Sequence, residues 1–207
     1  MVFSYKQSYD KSISDELKER YKTEIETLEK EGFSPFSLHQ ETIWPFSVLI
    51  FFPIYLIMKS NNEFVKIESP LRLTTYHLMF VSKSHSTYAY VYGLGCKFYT
   101  NFTDGTWLVS NTGQRVRDKK VIVLARDYGT IATDKLWERH RAKIEEFQAD
   151  GKRLNPHLSF EAWAGVENLF DRGNLMSIIW MGVVWLGFLS WVIYWLASKA
   201  LGLIGII

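Results

Sequence analysis

The chain has 207 residues and a formal net charge of only +2. This balance disfavours functions that need a strong electrostatic field, such as wrapping nucleic acid. Cysteine occurs once, at Cys96, which excludes an intramolecular disulfide and a cysteine-based metal cluster. The length suffices for one compact domain together with membrane segments.

The first predicted element is an amphipathic helix over residues 14–31. Ser14 can cap its start and Gly32 can end it. An apolar stripe at helical spacing runs along one side and consists of Leu17, Tyr21, Ile25 and Leu28. Packing on its own domain is the favoured interpretation, and a partner-binding or coiled-coil helix is the alternative. Residues 1–42 are therefore predicted to form this helix and a linker.

The second predicted element is an uncharged apolar segment over residues 43–58. As a helix it would be about 24 Å long, against a hydrocarbon core of about 30 Å. Pro53 would kink or break this helix. Trp44 and Tyr55 lie near its two ends and favour a short spanning helix, because such rings concentrate at membrane interfaces. A re-entrant or interfacial segment and a buried core segment are the alternatives.

Residues 59–173 are predicted to form an α+β domain. Five segments rich in β-branched and aromatic residues, separated by turn signals, predict a small antiparallel sheet of about five strands. Asp104-Gly105 suits a two-residue hairpin turn. A helix capped by Thr133 follows, with an apolar face formed by Leu136, His140, Ile144 and Phe147 and with Gly151 as its end. A short helix capped by Ser159 is predicted to stop at residues 171–173.

The third apolar element, residues 177–197, contains no charged residue, histidine or proline. Its helical length of about 31 Å matches a bilayer core, so we predict a transmembrane helix over residues 174–199 and an apolar tail over 200–207. Several tryptophans would lie too deep for an interfacial belt. We expect an aromatic face and an opposite face with small residues to contact a partner subunit or lipid, through Trp180, Phe188, Trp191, Trp195, Gly182, Ser190 and Ala197. A bound lipophile and packing against residues 43–58 are the alternatives.

The sequence contains no strong catalytic motif and names no reaction. Gly-rich phosphate loops, G-x-S-x-G elbows and H-E-x-x-H motifs do not occur. His39 and Glu41 form a weak metal signal, for which a solvated polar flank is the preferred interpretation. His77 and His140 are expected to be hydrogen-bonded structural histidines, with a Cys96–His140 nucleophile pair as the chemical alternative. We predict no catalytic residue, no cofactor and no metal.

Charge near the membrane segments bears on topology. The run over residues 115–120 is a basic loop, whose Arg115, Arg117, Lys119 and Lys120 are candidates for contact with anionic lipid headgroups. If both apolar segments span, the two termini share one side of the membrane. The domain side then carries more flanking basic residues than the terminal side. This favours a domain on the cytoplasmic side of a bacterial inner membrane or an organellar membrane.

The sequence thus predicts a membrane-anchored α+β protein, with a small antiparallel sheet and helices between two apolar membrane segments. The favoured function is a non-catalytic, two-pass accessory subunit of a larger integral membrane complex, with other membrane subunits and lipids as partners and no nucleic acid. The alternative is a membrane-anchored enzyme or ligand-binding domain with a site at the domain–membrane junction, drawn from His140, Asp104, Cys96, His77 and Arg126. A membrane-surface sensor or scaffold is a third hypothesis.

Overall fold

The computed structural model describes residues 2–44, 55–56, 64–69, 72–93, 95–110, 118–124 and 131–203. The strands and helices in chain order are β1 (Val2–Ser8), α1 (Lys11–Arg20), α2 (Lys22–Lys30), β2 (Ser34–Trp44), β3 (Phe64–Ser69), β4 (Arg72–Ser82), β5 (Thr87–Tyr92), β6 (Gly95–Asn101), β7 (Trp107–Ser110), β8 (Val121–Val123), α3 (Thr133–Ala149) and α4 (Phe160–Leu203). Tyr55 and Leu56 are also helical.

One mixed sheet of eight strands forms the centre of the fold. Its order is β1-β2-β4-β5-β6-β7-β8, and β3 pairs with the first half of β4. All pairs are antiparallel except β7 with β8, which is parallel. The α+β class is therefore confirmed, whereas the predicted number of about five strands, all antiparallel, was too low. The missed strands include β1 and β2, which pair with each other although two helices lie between them in the sequence.

Strand β2 extends into the first residues of the segment that was predicted to enter the membrane. Ile43 and Trp44, expected to begin a membrane segment, belong to this strand, and Ile43 pairs with Leu73 of β4. Ile67 of β3 pairs with the same residue on the other edge of β4, so β2 and β3 lie about 10 Å apart. Apart from Ile43, Trp44, Tyr55 and Leu56, residues 43–58 lie outside the described residues.

Helices cover both faces of the sheet. The α3 face is covered by α1, α2 and α3, and its core includes Leu17, Leu28, Phe98, Trp137 and Ile144. The α4 face is covered by the start of α4, and its core includes Tyr88, Tyr90, Tyr99, Trp163 and Phe170. Strand alternation sends successive residues to opposite faces, so that Cys96 and Phe98 of β6 lie on the α3 face and Tyr99 lies on the α4 face.

The predicted N-terminal helix is present as two helices. Asp10 caps α1 by accepting a hydrogen bond from Ile13 N at 3.2 Å, one turn before the expected cap at Ser14. Tyr21 separates α1 from α2. The predicted stripe faces the core of the α3 face, with Leu17, Tyr21 and Leu28 buried and Ile25 partly buried. Packing of this region on its own domain is confirmed.

The predicted hairpin and the predicted helix α3 are present, with local differences. Gly105, at φ 79°, lies in the turn between β6 and β7. The turn is longer than two residues, because Phe102 N donates to Thr106 O at 2.9 Å. Helix α3 ends before Gly151 as expected, but Thr133 is its first residue rather than its cap. The Thr133 hydroxyl instead donates to Cys96 Sγ at 3.7 Å.

Helix α4 replaces the two separate helices that we expected. Ser159 caps its start, where Ala162 N donates to Ser159 Oγ at 3.0 Å. The predicted stop at residues 171–173 is wrong, since the helix continues through them and has 44 residues. An interior glycine such as Gly173 costs only about 1 kcal/mol, which a long cooperative helix tolerates. The sheet and the predicted span therefore share one helix about 66 Å long.

Candidate functional site

The C-terminal half of α4 is an exposed apolar helix. Residues Ile179–Lys199 have a mean hydropathy of 1.7, and 6% of this stretch is buried. Trp180 and Trp191 are 63% and 61% exposed. Their neighbours Val184, Phe188, Tyr194 and Trp195 are also exposed. An apolar surface of this extent marks a site of contact with membrane or protein, and the length suits a membrane span. Among the described residues this is the one such helix.

The predicted contact residues all lie on this stretch. Phe188 contacts Trp191 on the aromatic face, with 6.2 Å between ring centroids. On the opposite face Gly182 is buried, whereas Ser190 and Ala197 are exposed. The Ser190 hydroxyl donates to Leu186 O of its own helix at 2.8 Å, so it requires no polar partner. Contact of either face with a subunit or lipid stays a prediction.

The basic loop is described only in part. Lys119 and Lys120 are exposed in the turn before β8. Asp118 Oδ1 accepts a hydrogen bond from Lys120 N at 2.8 Å and stabilises this turn. Arg115 and Arg117 lie outside the described residues. Contact of this loop with lipid headgroups stays a prediction.

The residues suggested for a junction site do not come together. His140 and Cys96 are buried on the α3 face, whereas His77 is buried on the α4 face. Asp104 is exposed at the β6–β7 hairpin, where it pairs with Lys152. Arg126 lies outside the described residues. The four that are described therefore form no common site.

His140 is a hydrogen-bonded structural histidine, as predicted, and its partners are two hydroxyl groups. Its Nε2 is 2.7 Å from Thr100 Oγ1, and its Nδ1 is 2.5 Å from Ser110 Oγ. Thr87 donates to a backbone carbonyl and therefore accepts from Thr100. It follows that Nε2–H donates to Thr100 and that Nδ1 accepts from Ser110. Burial lowers the pKa of His140 to about 3, which keeps it neutral.

Cys96 is not activated as a nucleophile. Both ring nitrogens of His140 already have hydroxyl partners, so that neither is available as a base for the thiol. Burial raises the pKa of Cys96 to about 12. The thiolate needed for nucleophilic attack is therefore absent at neutral pH.

A buried charged network, which the sequence did not predict, lies between the sheet and α4. Lys97 Nζ is 3.1 Å from Glu167 Oε1, with side chains 13% and 5% exposed. The Tyr99 hydroxyl donates to the other oxygen of Glu167. Lys97 also lies over the rings of Tyr90 and Tyr92, at 5.7 and 5.3 Å from their centroids. We call Lys97, Tyr99 and Glu167 the Lys97 network.

The protonation states of this network reinforce each other. Burial alone would lower the pKa of Lys97, but the carboxylate of Glu167 outweighs it, and the pKa is raised. Burial and the same carboxylate raise the pKa of Tyr99 well above its usual value. Lysine therefore stays charged and the phenol stays protonated, so both donate to Glu167. The charges of Lys97 and Glu167 compensate each other, and the carboxylate of Glu41 acts on Lys97 as a further negative charge.

A second group on the α4 face surrounds His39, which is fully buried. The expectation of a solvated flank at His39 is therefore wrong. Its ring contacts five others, at centroid distances of 4.7 to 6.2 Å, from Tyr5, His77, Tyr90, Phe160 and Trp163. We call these six residues the His39 cluster. Tyr90 also contacts Lys97, so the cluster adjoins the Lys97 network.

The hydrogen bonds of His77 assign its proton. Thr75 donates to Glu41 Oε2 at 3.4 Å, and His77 Nε2 lies 3.0 Å from Thr75 Oγ1. Nε2 therefore carries the proton, and Nδ1 is a bare acceptor. Burial lowers the pKa of His39 to about 3. Burial, and then the nearby His39 and Lys97, lower the pKa of His77 well below its usual value. Both imidazoles are neutral at pH 7.

A cleft of about 500 Å³ lies on the α3 side, between α2, the β5–β6 turn and the start of α3. Hydroxyl groups and two carboxylates, Glu24 and Asp134, line it. Two of the hydroxyls already donate within the protein, Thr27 to Thr23 O and Thr133 to Cys96 Sγ. Thr23, Glu24 and Asp134 complete the polar lining of the cleft.

The described part of the chain contains no group of three or more His, Cys, Asp and Glu residues that could hold a metal ion. Comparison with protein-family models, with curated proteins and with solved structures finds no match to this chain. The functional argument therefore rests on the fold and the contacts described above.

Proposed function

We propose that this chain is a non-catalytic accessory subunit of a larger integral membrane complex, anchored through α4. The observation that carries the proposal is the continuity of α4. Its first turns are buried on the sheet, and its apolar stretch Ile179–Lys199 is exposed. An anchor needs only a flexible tether, whereas an unbroken helix also fixes the orientation of the domain. Such a fixed orientation is useful to a subunit that must dock in one geometry.

The attachment of α4 to the sheet supports a rigid connection. Trp163 and Phe170 are fully buried against the strands, one on each side of Glu167. Glu167 itself is held by a charged partner and by the Tyr99 hydroxyl. Burying such side chains contributes about 1.5–3 kcal/mol each, in addition to the aromatic contacts. A displacement of the membrane helix would therefore move the whole sheet.

The exposed stretch has the character of a packing surface. Lipid tails are as apolar as the helix, so association in a bilayer depends on shape and close contact. The aromatic face offers rigid rings, and the opposite face carries small residues, of which Ser190 and Ala197 are exposed and allow a close approach. Other integral membrane subunits and lipids are the partners that fit these two faces. One membrane crossing replaces the two-pass arrangement in this proposal, and the cytoplasmic location of the domain stays a prediction.

The test is the size of the particle released by gentle solubilisation of membranes containing the full chain. We expect the wild type to migrate as a particle clearly larger than one 24.2 kDa chain in its detergent micelle. The variant Trp180→Ala/Trp191→Ala/Trp195→Ala should migrate as the single chain. Trp185→Ala is the matched control, since this tryptophan lies about 100° away from the centre of the aromatic face. A wild type that migrates alone, or a triple variant that migrates unchanged, would show that the proposal is wrong.

A further inference from the structure

The His39 cluster contains an unusual concentration of polar atoms without partners. Eight buried side-chain polar atoms lack a hydrogen bond among the described residues, and five of them belong to this cluster. These five are Tyr5 Oη, both ring nitrogens of His39, His77 Nδ1 and Trp163 Nε1. Folded proteins pair about 90% or more of their buried polar atoms, so five exceptions in one place require an explanation.

Together, the five atoms require a bound molecule that both donates and accepts hydrogen bonds. Trp163 Nε1 is only a donor, and His77 Nδ1 is only an acceptor because Nε2 carries its proton. The neutral ring of His39 offers one donor and one acceptor, and the Tyr5 hydroxyl can be either. The six residues of the cluster carry no charge at neutral pH, and the neighbouring charged groups Lys97 and Glu41 already have partners in Glu167 and Thr75. The bound molecule is therefore small, uncharged and capable of several hydrogen bonds.

The dimensions of the cluster point to water rather than to an organic molecule. The rings around His39 are in direct contact, with centroids as close as 4.7 Å for Trp163, and leave no room for a further ring between them. The unpaired polar atoms lie on the edges of these rings, where a molecule of the size of water is large enough to be their hydrogen-bond partner. One water forms at most four hydrogen bonds, so five atoms need at least two waters.

We propose that the His39 cluster is an internal hydration site that holds at least two water molecules between the sheet and α4. These waters connect Trp163 of α4 to Tyr5 of β1, His39 of β2 and His77 of β4. They extend the direct contacts of the neighbouring Lys97 network with hydrogen bonds to three further strands. This proposal is independent of the accessory-subunit function, because it concerns only how α4 is held on the sheet.

The direct test is a crystal structure of the full chain at a resolution that reveals ordered water. We expect at least two water peaks, each within about 3.2 Å of two or more of the five atoms. Density for a larger molecule in the cluster would overturn the proposal in favour of an organic ligand. A cluster without density would overturn it as well.

The variant Tyr5→Phe provides a second test, in which the direction of the change in the unfolding equilibrium constant decides the outcome. If water binds the Tyr5 hydroxyl, its removal loses a hydrogen bond, and the unfolding equilibrium constant of the full chain in detergent rises about fivefold. If the hydroxyl is dry and unpaired, its removal relieves a desolvation penalty, and the constant falls, which would overturn the proposal. Tyr99→Phe is the matched control, because its hydroxyl has the protein partner Glu167 and the constant must rise.

Discussion

Replacing Glu167 with glutamine tests how the sheet holds α4. Glu167→Gln preserves the size of the side chain and an oxygen for the Tyr99 hydroxyl, but it removes the counter-ion of Lys97. The two charged atoms are 3.1 Å apart and both side chains are largely buried. At an effective dielectric of about 20, their attraction is about 5 kcal/mol. Removing one partner of a buried pair costs about 3–5 kcal/mol, and we expect a loss of stability in this range.

Two measurements on the full chain in detergent micelles check this value. Denaturant unfolding gives the change in the free energy of unfolding. Hydrogen–deuterium exchange gives its location, and exchange should increase at residues 160–170 of α4 more than in α3, which packs on the other face. The triple variant Lys97→Met/Tyr99→Phe/Glu167→Leu is the control, because it removes the ion pair together with the hydroxyl that Glu167 accepts from. Apolar replacement of a whole buried pair is often neutral or stabilising, so this variant should match the wild type to within about 1 kcal/mol or exceed it.

Two results would refute the reasoning. A loss below about 1 kcal/mol for Glu167→Gln would mean that water already screens the pair, as it does for exposed ion pairs. A triple variant as unstable as the single variant would mean that packing, rather than charge pairing, determines the cost. In either case the Lys97 network would not be what fixes the orientation of α4.

Three further predictions follow from the structure. Lowering the pH from 7 to 5 should reduce the free energy of unfolding by about 2 kcal/mol for each of His39 and His140. Burial holds both pKa values at about 3, so only the unfolded chain takes up protons between pH 7 and pH 5. Denaturant unfolding at the two pH values measures this change. Gly105→Ala should cost about 1 kcal/mol by thermal unfolding, because φ is 79° there. Tyr9→Cys and Lys199→Cys should react with an impermeant maleimide from opposite sides of sealed vesicles, whereas labelling from the same side would contradict the single crossing.

The features that could be predicted from the sequence are those carried by local periodicity. The stripe of Leu17 and Leu28, the apolar face of α3 and the apolar stretch of α4 are each repeated within a few turns of one helix. The Asp104-Gly105 turn likewise depends only on adjacent residues. These signals identify elements, and they leave open how distant elements pair. The extent of the sheet was therefore underestimated, since β1 meets β2 only after two helices have intervened.

The Lys97 network shows why the buried polar site was missed. Lys97 and Glu167 are 70 residues apart, so no spacing rule relates them. A lysine between apolar and aromatic residues of a strand is a usable signal of a buried partner, because an unpaired lysine is rarely buried. His39 gives no comparable signal, since an imidazole beside Gln40 and Glu41 is equally typical of a solvated strand end. Its burial depends on contacts with Trp163 and Phe160, which come much later in the sequence.

The apolar stretch of α4 and the packing of its first turns together support the proposed function. Among the described residues, Ile179–Lys199 is the one helical stretch long and apolar enough to span a membrane. The same helix packs on the sheet through Trp163 and Phe170. In the proposed function, attachment to the membrane therefore depends on α4, and the continuity of this helix fixes the orientation of the sheet relative to the membrane.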